Sequence, residues 1–146
     1  MLKKSFRQSK PVAKISISMN GKALLDSNAV VQILNGKLDL PRLGFDEILV
    51  PMTVVGELFF GVHKSARVTE NRRRLLTFLD LVSLVSSDLE VAEMYGQIKA
   101  TLRSKGKPIP ENDMWIAATA IRHRLPLVTN DKHFGEVERL AVIRWS

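Results

Sequence analysis

Apolar residues fall along this chain in two alternating rhythms. Four short runs, "KALLD" (22–26), "EILVP" (47–51), "LPLVTN" (125–130) and "LAVIRW" (140–145), are bounded by Asp, Pro or Asn. They predict strands buried on both faces. Between them, apolar residues recur at helical spacing. Over 27–35, Ala29, Val30, Ile33 and Leu34 share a face. Over 53–64, Val54, Val55, Leu58, Phe59 and Val62 do so, with Thr53 as the expected N-cap. Residues 70–82 set Leu75, Leu76, Phe78 and Leu79 beside Arg72, Arg73 and Arg74, a third amphipathic helix. Ser87 and Glu90 read as a capping box that opens a helix running to about Arg103, where "SKGKP" stops it. "NDMWIAATAIRHR" (112–124) predicts the last helix. Strands alternating with helices predict an α/β fold, a central parallel sheet covered on both sides.

With 146 residues, 45% of them hydrophobic and 25% charged, the chain has the size and composition of one globular domain. No apolar run approaches the roughly 20 residues of a spanning helix, so no membrane partner is expected. The absence of cysteine excludes disulfides, thiolate catalysis and cysteine-held zinc, and the cytoplasm is the expected compartment. The net charge of +7 is uneven. Residues 1–18 carry Lys3, Lys4, Arg7, Lys10 and Lys14 and no acid, which leaves a nearly balanced body. Two parts are therefore expected: a flexible basic extension (1–18) and a folded domain (19–146). The extension lacks the apolar core of a secretion signal. Its acid-free composition faintly resembles an organellar transit peptide, but a disordered arm, or a start upstream of the true one at Met19, is the simpler reading.

The informative acids end strands or open helices. Asp26 closes the first strand, Asp131 follows "LPLVT", Asp113 lies in the opening turn of the last helix, and Glu57 sits one turn into the helix after "EILVP". In an open parallel sheet these positions share one rim, beyond the carboxyl ends of the strands, where ligands bind. Each has a local explanation as a cap or a complement to a helix dipole. Glu57 resists it, because Val54, Val55, Leu58, Phe59 and Phe60 surround it in sequence and an ionised carboxylate there needs a partner.

If the four carboxylates converge, two of them about 5 Å apart repel by roughly 3 kcal/mol at an effective dielectric near 20. Several such pairs rival the whole stability of a domain, about 5–15 kcal/mol. A cation or retained protons must relieve them. Oxygen donors point to Mg²⁺, or Mn²⁺, rather than to zinc or copper. A metal-bound water can then attack a phosphodiester in line. Neither a Walker-type phosphate loop nor a G-x-G-x-x-G pattern occurs. His123 and His133 read as structural or surface groups, and Met52, Met94, Met114, Trp115 and Trp145 as packing.

In "LLDSNAVV" (24–31), "VPMTVVGELFFGV" (50–62), "IPENDMWIAATAIRHRLPLVTNDKHFGEV" (109–137) and the terminal "LAVIRW", the chain resembles the PIN-domain family, and within it the VapC-type toxins of toxin–antitoxin pairs. The resemblance implies a three-layer α/β/α sandwich and an Mg²⁺- or Mn²⁺-dependent endoribonuclease. Its acidic quartet falls on Asp26, Glu57, Asp113 and Asp131, with Asp26, Asp113 and Asp131 as metal ligands. Ser27, Glu111, Asn112 and Thr129 stand beside the motif residues as candidates for orienting water. The resemblance further implies an RNA substrate, a cognate antitoxin that places a cationic segment in the site, and a homodimer. Lys64, Arg67, Arg122 and Lys132 are the leading candidates for RNA phosphate contacts, with Arg72 to Arg74, Lys105, Lys107 and Arg124 behind them. The alternatives are a PIN-like module that binds RNA or protein without cutting, and a receiver-type phosphoacceptor. The latter is disfavoured because Ser27 and Asn28, not a second acid, follow Asp26.

Overall fold

The computed structural model describes residues 21–146; the basic extension at 1–18 lies outside the described residues. Strand β1 (Lys22–Leu25) leads into helix α1 (Ser27–Leu34), then a 3₁₀ turn (Leu40–Leu43) and β2 (Glu47–Pro51). Helices α2 (Met52–His63) and α3 (Val68–Leu79) precede β3 (Ser83–Val85). Helices α4 (Leu89–Ser104) and α5 (Glu111–Arg122) precede β4 (Leu127–Val128). A second 3₁₀ segment (Lys132–Glu136) and β5 (Val142–Ile143) complete the fold.

The strands form one five-stranded sheet in the order β3-β2-β1-β4-β5, parallel throughout. By the right-handed rule for crossovers between parallel strands, this order sets α1, α2 and α3 on one face and α4 and α5 on the other, the expected three-layer sandwich. Leu24, Leu25, Val50, Leu127, Val128 and Ile143 are fully buried between the layers, as their unbroken apolar runs require. The chain builds outward from β1 through β2 to β3, then returns to the other side of β1 with β4. The order therefore switches between β1 and β4, and a crevice opens there beyond their carboxyl ends. Among the described residues no helix is long and apolar enough to cross a membrane.

Three local expectations are corrected. Thr53 is not a cap: Pro51 precedes the first turn of α2, and the Thr53 hydroxyl is buried inside the helix without a hydrogen-bond partner among the described residues. Asp88, not Ser87, caps α4, accepting from the Val91 N–H at 2.9 Å, so the helix opens at Leu89. Strand β3 was hidden in the run "LVSLV", which reads as the tail of a helix. It has three residues, lies at the sheet edge and leaves Leu84 exposed.

Candidate active site

The strand switch brings the tips of β1 and β4 together. Asp26 directly follows β1 in extended conformation and caps α1, its Oδ1 accepting from the Ala29 N–H at 2.8 Å. Its Oδ2 accepts from the Thr129 hydroxyl at 2.5 Å, just beyond β4. The same Thr129 oxygen accepts from the Asp131 N–H at 2.9 Å. One hydroxyl thus couples two of the predicted acids, which are 105 positions apart in the chain. Thr129, read from sequence as orienting water, orients the carboxylates themselves.

Asp131 caps the 3₁₀ segment, with Oδ1 accepting from the His133 N–H at 2.9 Å. This tight turn brings the His133 ring back over the acids. Its Nδ1 lies 3.1 Å from Asp131 Oδ1 and 3.3 Å from Asp113 Oδ2. Asp113 enters from the first turn of α5, where the helix dipole favours negative charge. Asp113, Asp131 and His133 each offer a donor atom, and these atoms all lie within 4.8 Å of one another. His133 is exposed, as its sequence assignment to the surface expects, yet it stands beside two of the acids, a placement that sequence reasoning missed. Its signal was its place two residues after an acid that caps a tight turn.

Glu57, half-buried on α2, receives a hydrogen bond on Oε1 from the Ser27 hydroxyl at the start of α1. That is the partner its apolar setting demanded. Its charge also reaches Asp113, so all four predicted acids share one neighbourhood. The electrostatics show the cost. Asp26, only 4% exposed, has its pKa pushed up to about 6, chiefly by burial. Hydrogen bonds from Thr129 and Ala29 pull it back, while Asp131 and Asp113 push it further. Asp113 is also raised, first by burial and then by Asp131, with His133 opposing.

Other predicted residues lie elsewhere. The Glu111 carboxylate is held by Lys99 at 2.7 Å and by the Tyr95 hydroxyl, both on α4. Two helical positions before Asp113, it points about 200° around α5 from it. Asn112 is exposed on the same first turn. Arg122 also lies away from the acids. It lies roughly 14 Å along α5 from Asp113 and its guanidinium is tied to Glu90 on α4. Arg67 pairs with Glu70 at 3.3 Å, and Lys64 stacks over Phe60 with Nζ 4.9 Å from the ring centre. Lys105 and Lys107 pair with Glu138 and Glu136. Lys132, next to Asp131, is exposed. From Ser27 and Glu57 a cavity of about 350 Å³ extends between α1, α2 and α3, walled by Val31, Leu34, Leu58 and Leu75 and ending at Asn71 and Arg74.

The donor set suits a hard divalent ion. Asp113 and Asp131 with Asp26 behind them supply several carboxylate oxygens at one place, and their mutual repulsion falls when positive charge enters.

Comparison with known proteins agrees with this fold. Residues 23–140 match the family model of the PIN domain. A relative from Rickettsia felis, ribonuclease VapC2, is 31% identical over 129 residues, covering 84% of this chain and 96% of the relative. Among solved structures, VapBC2 of Rickettsia felis, bound to a DNA fragment from its promoter, superposes with a TM-score of 0.80 at 29% identity, covering 86% of this chain and 99% of that one. VapBC-5 of Mycobacterium tuberculosis, a member of the VapBC family of toxin–antitoxin systems, gives a TM-score of 0.69 at 25% identity over 85% of this chain and 98% of that one.

Proposed function

The chain belongs to the PIN-domain family, and from that premise we propose that it is a divalent-metal-dependent endoribonuclease, the toxin of a VapC-type toxin–antitoxin pair. The observation that carries this reading is the convergence of Asp26, Asp113 and Asp131 at the strand switch, with Asp26 buried and its ionisation opposed by both neighbours. Relatives named as ribonucleases support the substrate class.

Asp26, Asp113 and Asp131 would hold the metal, Mg²⁺ or Mn²⁺. When bound, it supplies neutralising charge and a water acidic enough to lose a proton near neutral pH. The protein's own part is placement. Thr129 fixes Asp26 and Asp131 relative to each other, and the Ala29 N–H locks the Asp26 carboxylate at the start of α1. Ser27 occupies Glu57 Oε1, so Oε2 would be the oxygen that takes a proton from the attacking water. The N-termini of α1 and α5 face the crevice, adding positive potential for a phosphate. Attack by water leaves a 5′-phosphate and a 3′-hydroxyl.

The apolar cavity that continues from Glu57 to Arg74 supports an antitoxin segment as the inhibitor, its side chains filling the cavity and a cationic group entering the acid site. Exposed Phe60, Leu76 and Leu81 support a homodimer surface. Lys132, Lys64 and Arg67 remain the basic residues for flanking phosphates. The test is to purify the chain free of partner and map cleavage ends on total RNA with Mg²⁺, Mn²⁺ or chelator. Metal-dependent cuts bearing 5′-phosphates are expected, and Asp113→Asn should abolish them with the fold intact. Undiminished cleavage in Asp113→Asn, or in chelator, would remove the site assignment.

A further inference from the structure

We propose that His133 is itself a metal ligand, through Nδ1, and that it biases the site toward Mn²⁺ over Mg²⁺. This rests on the metal-dependent reading above and adds to it a nitrogen donor and a metal preference. Nδ1 stands 3.1 Å from Asp131 Oδ1 and 3.3 Å from Asp113 Oδ2. In an octahedral shell with bonds of about 2.1 Å, adjacent donors are separated by about 3.0 Å. The two separations are close to such edges, and all three donor atoms lie within 4.8 Å of one another, so small side-chain adjustments bring the imidazole and both carboxylates onto one ion.

The backbone that carries the ring is also held in place. The His133 N–H bonds Asp131 Oδ1, and the next residue, Phe134, is 1% exposed and anchors the 3₁₀ segment in the core. The other histidines are remote from this turn: His63 ends α2 and His123 follows α5. A ligating imidazole offers the bare lone pair of Nδ1.

The consequence is chemical. Mg²⁺ favours oxygen donors and keeps its waters, whereas affinity for imidazole rises along the first-row divalent ions, beginning with Mn²⁺. Replacing one oxygen position by a neutral nitrogen weakens the case for Mg²⁺ and strengthens it for Mn²⁺ and Co²⁺.

The experiment uses the full chain freed of metal, with Mn²⁺ and Mg²⁺ as the probes. Pulsed electron paramagnetic resonance of the Mn²⁺-loaded protein should show coupling to an imidazole ¹⁴N, converted to a ¹⁵N signal when the histidines are ¹⁵N-labelled. His133→Asn should abolish it. Calorimetric titration should show Mn²⁺ affinity falling about 10-fold or more in His133→Asn, with Mg²⁺ affinity changing by less than about 3-fold. Mn²⁺ bound without nitrogen coupling, coupling that survives His133→Asn, or equal losses for both ions would overturn the role of His133 and leave the metal-dependent reading standing. Failure of the unaltered chain to bind either ion would instead overturn both.

Discussion

Asp26→Asn should make the metal-free protein more stable at neutral pH while removing its activity. Burial and two neighbouring acids raise the Asp26 pKa from an ordinary value of 3.8 to about 6. A raised carboxylate pKa means that the native state holds its proton more tightly than the unfolded chain does. Native stability is then undiminished below pH 4, declines as pH rises from about 4 to 6, and stays reduced above that. A shift of this size corresponds to about 3 kcal/mol at pH 8. Asparagine has no charge to bury. Its Oδ1 keeps the Ala29 N–H bond, and asparagine caps helices as well as aspartate does. Its amide would meet Thr129 Oγ1, which must turn its own hydrogen elsewhere, a loss of about 1 kcal/mol. A net gain of about 2 kcal/mol at pH 8 is therefore expected.

The assay is urea denaturation of both proteins with chelator at pH 4, 6 and 8. Asp26→Asn should be no more stable than wild type at pH 4 and should gain progressively toward pH 8. Saturating Mn²⁺ should reverse the order. An ion present at 1,000 times its dissociation constant stabilises the wild type by about 4 kcal/mol, more than the carboxylate costs, and the variant forfeits most of that. A variant that is less stable at every pH in chelator, or a difference that does not change with pH, would refute the claim that Asp26 is buried at an electrostatic cost.

Thr129→Val removes the hydroxyl shared by Asp26 and Asp131 and leaves a buried carboxylate oxygen and an N–H unpaired; urea melts should show a loss of about 1–3 kcal/mol, larger at pH 8 than at pH 4 because the Thr129 bond lowers the Asp26 pKa. Ser27→Ala frees the Glu57 carboxylate, and single-turnover cleavage should slow about 10-fold, part of the 10²–10⁴ that a positioned base contributes, with little change in melting temperature. Arg122→Gln should lower stability by about 1 kcal/mol or less by releasing Glu90, and filter binding should find RNA affinity unchanged. A marked loss of RNA affinity in that variant would restore Arg122 to the binding surface.

The features legible in the sequence were those fixed by topology. A strand buried on both faces announces itself as an apolar run, and the residue that ends it is placed on the rim by the fold alone. Asp26, Asp113 and Asp131 were therefore identifiable, and Glu57 was identifiable from its apolar setting. What failed was inference from sequence adjacency. Glu111 lies near Asp113 in sequence, but two steps along a helix turn it toward α4, where Lys99 and Tyr95 hold it. Arg122 shares a helix with Asp113 but stands at its other end. His133 was passed over for the converse reason: in a tight 3₁₀ turn, residues two apart can face one another, and the turn exists because Asp131 caps it. Strand β3 escaped because an edge strand of three residues has too few positions to establish a period.

The proposed chemistry and the proposed inhibition have a common electrostatic origin. Four carboxylates gathered at a strand switch are held by Thr129, Ser27 and the Ala29 N–H, all of which fix positions and none of which brings positive charge. The N-termini of α1 and α5 offset part of the deficit, each worth about 0.3–1 kcal/mol, short of the roughly 3 kcal/mol cost at Asp26 alone. Any cation that reaches the acids relieves this repulsion: a divalent ion or, in the proposed toxin, a basic side chain from its antitoxin. Because these relieve the same repulsion, each lowers the gain available to the next. Under the proposed function, inhibition would require no conformational change in this chain, since a partner that satisfies the charge would also remove the driving force for binding metal. The apolar cavity running from Glu57 to Arg74 lies where such a partner would find contact area before its cation reached the acids.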